Sequence, residues 1–149
     1  MKYKQPILIV SAPRSGSSLL SYILHSEGVQ SGITKPADEY NKKGYFENLR
    51  MRKAIIKYLK QNDTENLGKK FQPVNLRAEF KNFNRKIYRA LRQENFEKDK
   101  PWFFKDPKIA LCWHIWNTTY PDAKWILLYR NEKDLLNSFE RTPFMDAYA

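Results

Sequence analysis

Between the apolar run Pro6-Ile-Leu-Ile-Val-Ser11 and the helically spaced Leu19, Leu20, Ile23 and Leu24 lies Pro13-Arg14-Ser15-Gly16-Ser17-Ser18. Three hydroxyls, a guanidinium and a glycine within six residues are the equipment for holding an oxyanion. Where such a loop leads a strand into a helix, the helix's unpaired N–H groups and its dipole favour a negative charge. Gly16 lets the backbone approach closely, and Arg14 adds a permanent charge with several donors. A terminal phosphate or sulfate suits this loop. The nucleoside-triphosphatase loop G-x-x-x-x-G-K-[ST] does not fit it. Setting that pattern's second glycine on Gly16 puts Ser11 where the first glycine belongs and Ser17 where the lysine belongs.

Two further polar clusters follow apolar runs. Lys105-Asp106-Pro107-Lys108 comes after Trp102-Phe103-Phe104, and Arg130-Asn131 comes after Lys124-Trp-Ile-Leu-Leu-Tyr129. The three apolar runs read as strands, 6–11, 102–104 and 124–129. Asp106-Pro107 has the form of a helix start, with Asp as N-cap and Pro in the first position. Its helix would carry Ile109, Leu111, Trp113 and Trp116. Asn131 caps a last helix with Leu135, Leu136 and Phe139. Residues 28–46 read as loop, and a helix is expected from near Glu47 with Met51, Ile55, Ile56 and Leu59 on its apolar face. Residues 61–75 read as a connection, with Gly68 and Pro73. A longer helix then places Leu76, Phe80, Phe83, Ile87 and Leu91 on one face and charge on the other. Strands alternating with helices give an α/β domain with a parallel sheet. Sites in such sheets lie beyond the carboxyl ends of the strands, where all three polar clusters fall.

The whole chain sets the bounds. Its 149 residues suit one domain. Lys+Arg 27 against Asp+Glu 16 gives a formal net charge of +11, which calls for an anionic partner. A single cysteine, Cys112, excludes an internal disulfide, and two histidines, His25 and His114, make a His-rich metal site untenable. No run is long enough for a membrane span or a signal core, so a reducing, cytoplasmic setting is expected. No helix-turn-helix or RNA-binding signature points to nucleic acid as the partner.

The loop Pro13–Ser18 resembles that of the sulfotransferases, P-[KR]-[ST]-G-[ST]-[ST], at every position. The similarity continues with Arg130 and Ser138, eight residues apart. Pro36-Ala-Asp-Glu-Tyr-Asn-Lys-Lys-Gly-Tyr-Phe-Glu47 and Lys105-Asp106-Pro107-Lys108 resemble a bacterial and phage branch, Lys108 standing where Arg is usual. The resemblance spans Ile7 to about Arg141. It implies a P-loop-like three-layer fold, a short parallel sheet flanked by helices, in a single domain over 1–149. It also implies metal-free transfer of a sulfuryl group from 3′-phosphoadenosine 5′-phosphosulfate (PAPS) to a hydroxyl or amine of a small-molecule or glycan acceptor. On this reading Arg14, Ser15, Gly16, Ser17 and Ser18 hold the 5′-phosphosulfate. Arg14 also stabilises charge as the bond breaks, and Arg130 and Ser138 grip the 3′-phosphate. Transfer to a hydroxyl needs a base. Glu47 is the first candidate, Asp106 the second and Glu39 the third. His25 and His114 fall within helices, as packed or surface residues. Lys105 and Lys108 are either further charge around the sulfuryl group or solvated lysines. Tyr45 and Phe46 are candidates to line an acceptor or adenine pocket, and Trp113 and Trp116 are expected in the core. Nothing after Ser138 matches the family's later Gly- and Lys/Arg-containing loop. The resemblance therefore implies a domain short of that segment, with apolar surface exposed at the missing edge and a tendency to form homo-oligomers. A nucleotide- or polyanion-binding module of the same fold, without the reaction, is the alternative in another class.

Overall fold

β-branched and apolar residues at Ile7-Leu-Ile-Val fit a pleated, two-sided burial, and Ile7–Ser11 forms strand β1 at the centre of a three-stranded sheet. The computed structural model describes residues 3–61 and 76–141, the side chains of residue 61 and of residues 76–81 excepted. Strand β2 (Phe103–Lys105) and strand β3 (Lys124–Leu128) lie parallel to β1 on either side of it, in the order β2-β1-β3. Leu8 sits beside Phe104 and Trp125, and Ile9 beside Lys105 and Ile126. The helices are α1 (Ser17–Ser26), α2 (Leu49–Gln61), α3 (Leu76–Gln93), α4 (Trp113–Thr119) and α5 (Glu132–Glu140).

Side chains alternate across a strand, so the sheet serves two cores. Leu8 and Phe104 face Met51, Ile55, Phe83, Ile87, Leu91, Ile115 and Trp116 from α2, α3 and α4. Ile9 and Phe103 face the other way, with Leu20 and Leu24 of α1. Helices therefore cover both faces of the sheet, the three-layer α/β arrangement expected from the sequence. Trp116 anchors the larger core, stacked on Phe104 at 5.0 Å and edge-on to Phe83 at 5.1 Å.

The structure corrects several expectations. The helix expected after Asp106 is two pieces, a 3-10 turn over Pro107–Leu111 and then α4. A 3-10 turn repeats every three residues, so burial passes from Ile109 to Cys112 and on to Ile115 and Trp116. Trp113 is thereby rotated out of the core and is 56% exposed. Strand β3 is only half covered, with Leu127 75% exposed, although the other edge strand, β2, is buried throughout. Helix α2 starts at Leu49, two residues after Glu47 and close to the start expected. Its cap is Asn48, whose Oδ1 accepts from the N–H groups of Arg50 and Met51. Of the apolar face expected on α3, Phe83, Ile87 and Leu91 are buried. The side chains of Leu76 and Phe80 and the connection at 62–75 lie outside the described residues.

Candidate active site

The carboxyl end of β1 runs directly into the loop at residues 12–16. Two residues there take left-handed backbone conformations, Arg14 at φ 66° and Gly16 at φ 87°. For glycine that region is free, but for arginine it is strained. Strain of this kind gathers where a ligand is clamped. Gly16 is also the N-cap of α1, and no side chain caps that helix. Leu19 N–H turns back to the Gly16 carbonyl at 3.0 Å, and the N–H groups of Ser17 and Ser18 remain for an anion. Serine capping, the ordinary explanation for three serines at a helix start, does not describe this loop.

The loop forms one wall of a cleft of about 350 Å³ beyond the strand ends. Arg14, Gly16, Ser17, Ser18, Arg130 and Ser138 line it, as do Lys35, Glu47, Arg52, Lys105 and Lys108. Of the residues expected to bind the donor, only Ser15 is absent from the lining. Among the described residues six cationic side chains line it; Lys105 and Arg52 pair with Glu47, Arg52 and Lys108 with Asp106 and Lys35 with Asp38, which still leaves a positive surplus, carried by Arg14 and Arg130, that suits an anionic ligand.

Arg14, Arg130 and Ser138 form one cluster. Arg14 Nε donates to Ser138 Oγ at 3.1 Å, and its Nη1 donates to the Tyr40 carbonyl at 3.2 Å. Arg130 Nη1 donates to the Arg14 carbonyl at 2.9 Å. Ser138 reaches this point because Asn131 caps α5, its Oδ1 accepting from Lys133 N–H, and two turns of helix follow.

The segment between Ile33 and Glu47 straps across the loop. Asn41 Nδ2 donates to Ser18 Oγ at 2.9 Å. Tyr45 Oη donates to the Asp38 carboxylate at 2.7 Å, and the Lys35 ammonium lies 3.6 Å from the centre of the Tyr45 ring. The Tyr45 hydrogen bond holds Asp38 below the usual carboxylate range, while burial pushes the Tyr45 phenol up. Phe46, another candidate lining residue, packs instead against Tyr22 and His25.

The floor of the cleft is a partly buried network of charges, closed from below by Asp106. Glu47 Oε1 is 3.3 Å from Lys105 Nζ at the end of β2, and Glu47 Oε2 is 3.3 Å from Arg52 Nη1 on α2. Arg52 Nε lies 3.7 Å from Asp106 Oδ2, and Lys108 Nζ lies 3.5 Å from Asp106 Oδ1. Burial pushes the Lys105 ammonium below the usual lysine range, against the pull of Glu47. Burial raises the Asp106 carboxyl, against the pull of Lys108. Asp106 is fully buried, does not line the cleft, and accepts from Lys108 N–H at 2.8 Å as the cap of the 3-10 turn. Glu39 is exposed and also outside the lining. His25 bonds Ser31 Oγ, and His114 bonds the Tyr58 hydroxyl, both away from the cleft. Arg52 is the residue that sequence reasoning missed. Its spacing of five from Glu47, across a helix start, carries no pairing signal.

No helix among the described residues is long and apolar enough to cross a membrane. No curated protein and no solved structure matches the chain. A match to the sulfotransferase family runs over residues 6–146. It takes in the anion loop, the buried charges under the cleft and the Arg130–Ser138 pair alike, and on that span the chain belongs to the sulfotransferase family.

Proposed function

We propose that the chain transfers a sulfuryl group from PAPS to a hydroxyl or amine of a small-molecule or glycan acceptor. The observation that carries this reading is the cleft itself, an anion cradle in which Arg14 and Arg130 add to the paired cations Lys35, Arg52, Lys105 and Lys108. Its open helix start and strained Arg14 suit a phosphosulfate. The N–H groups of Ser17 and Ser18, with the Ser17 hydroxyl, hold the 5′-phosphosulfate. Arg130 and Ser138 take the 3′-phosphate, and Ser138 exchanges its present bond from Arg14 for the donor. Arg14 is then free to neutralise charge on the bridging oxygen as the S–O bond to the phosphate breaks. A new S–O or S–N bond forms to the acceptor. Glu47 takes the acceptor's proton, and the leaving product is 3′-phosphoadenosine 5′-phosphate (PAP). Lys105 and Arg52 fix the Glu47 carboxylate from both oxygens. Asp106 supports Arg52 and Lys108 from below and is a positioning residue.

Glu47→Gln keeps the shape and removes the proton acceptor. It is expected to lower sulfate transfer by about 10²–10⁴-fold while leaving PAP binding in place. Binding is read as thermal stabilisation, about 2.7 kcal/mol at a hundredfold excess over Kd, with 5′-AMP as control. Full transfer activity in the variant would remove Glu47 from the role of base. One observation favours the binding-module alternative: both Glu47 oxygens are already engaged by cations. On that reading the wild type shows the PAP shift and no turnover with any acceptor.

A further inference from the structure

We propose that a second groove, at the opposite end of the sheet from the cleft, binds an oligosaccharide bearing sulfate or carboxylate groups through Arg85, Arg89 and Arg92. The choice of a saccharide rests on the sulfuryl-transfer reading above; the anion site itself does not. The groove has a volume of about 950 Å³. One wall is α3. The other is built from Tyr3 and Gln5, just before β1, and from residues 119–122, just before β3. The strands are parallel, so this is their amino end. Five residues of strand, roughly 16 Å, separate it from the cleft.

Arg85, Arg89 and Arg92 stand at i, i+4 and i+7, which aligns them on one face of α3. All three are exposed, and none forms an ion pair with another described residue. A solvated helix face would suffice to explain charge here, but it does not explain the choice of residue. Lysines outnumber arginines in the chain by 18 to 9, yet among the described residues the groove is lined by three arginines and no lysine. The planar guanidinium fork is the side chain suited to bidentate contact with sulfate, phosphate or carboxylate. One carboxylate, Asp122, also lines the groove, leaving a surplus of two positive charges. The arginine stripe spans roughly 10 Å at 1.5 Å per residue, enough for two or three anionic groups on a short chain. Tyr3 and Tyr88 meet edge to face at 5.5 Å and 69°, so they do not form the parallel walls that would sandwich a nucleobase. Gln5, Asn84, Gln93 and Thr119 add the amide and hydroxyl groups that suit a hydroxyl-rich ligand.

Titration calorimetry with a dextran sulfate hexasaccharide tests this, set against the unsulfated hexasaccharide and a thymidine oligonucleotide of similar charge. The wild type is expected to bind the sulfated sugar and not the neutral one. The double variant Arg85→Ala, Arg89→Ala is expected to bind it at least roughly tenfold more weakly and with a shallower salt dependence. Arg89→Glu is the second variant, with the same direction expected. In both, the PAP-dependent thermal shift should match the wild type, which shows that the fold and the cleft are intact. Unchanged affinity in both variants overturns the proposal, and so does an oligonucleotide that binds as tightly as the sulfated sugar. A wild type that binds the sulfated sugar but shows no PAP shift fails the reading of the cleft and leaves the groove standing.

Discussion

Arg14 occupies a backbone conformation that works against it. At φ 66° an L side chain sits about 1–2 kcal/mol above its preferred region, and the anion loop places its arginine there. The strain is offset by what the guanidinium reaches, Ser138 on α5 and the Tyr40 carbonyl on the strap. Replacing it by alanine removes both bonds and keeps the strain, whereas glycine removes the bonds and the strain together. Arg14→Gly is therefore expected to be about 1 kcal/mol more stable than Arg14→Ala in urea unfolding. Neither variant should gain stability from PAP as the wild type does. Equal stability of the two would mean that the loop stores no strain. The sequence exposed the chemistry of this loop through its residue types alone. It hid the direct contact of Arg14 with Ser138, because that contact depends on where α5 lands, 124 residues later.

The elements that hold the cleft are joined at a junction no periodicity could show. Glu94, at the end of α3, accepts from Ile33 N–H at 2.7 Å and from Asn48 Nδ2 at 2.8 Å, and pairs with Arg50 at 3.3 Å. The same Asn48 caps α2. The base of the strap, the start of α2 and the end of α3 are thus tied at one buried carboxylate, and Glu47 and Arg52 are aimed by that tie. Asn48→Ala should cost about 1–2 kcal/mol for the lost cap, and more because Glu94 loses a donor. Asn48→Asp keeps the capping oxygen but sets a second carboxylate beside Glu94. It should be at least as damaging as alanine in urea unfolding, although Asp is ordinarily as good a cap as Asn. Gly32 belongs to the same junction. It stands at φ 66°, and a Cβ there would strike the Glu94 carboxylate, the Asn48 amide and the Phe96 ring. Gly32→Ala combines overpacking with backbone strain and should cost roughly 3 kcal/mol or more, read as a shift of the urea midpoint. The helices and strands themselves were legible, since each carries its own apolar period. The 3-10 break before α4 was not. Ile109, Trp113 and Trp116 keep helical spacing on paper, and only packing against the sheet selects Cys112 over Trp113.

Across the whole molecule, the excess of positive charge is concentrated in places: six cations line the cleft and three arginines line the groove at the other end of the sheet. The apolar surface is just as unevenly placed. The outer side of β2 is partly covered, since Gln30 bridges Trp102 and its carbonyl accepts from Phe103 N–H. The outer side of β3 pairs with no strand among the described residues. There Leu127 is 75% exposed, over an apolar hollow shared with Val10, Ala110 and Leu111. An open, apolar strand edge is a template for pairing with another chain, and the strongly positive net charge opposes that pairing through long-range repulsion. Salt screens the repulsion but not the edge, because the Debye length falls to about 3 Å at 1 M. Self-association is therefore expected to rise with salt as well as with protein concentration in sedimentation velocity. Leu127→Lys adds to an edge strand the side chain that proteins use to block such pairing. At an exposed position it should leave stability within about 0.5 kcal/mol of the wild type and hold the chain monomeric at high salt. A variant that associates as readily as the wild type would show that β3 is not the surface through which copies meet.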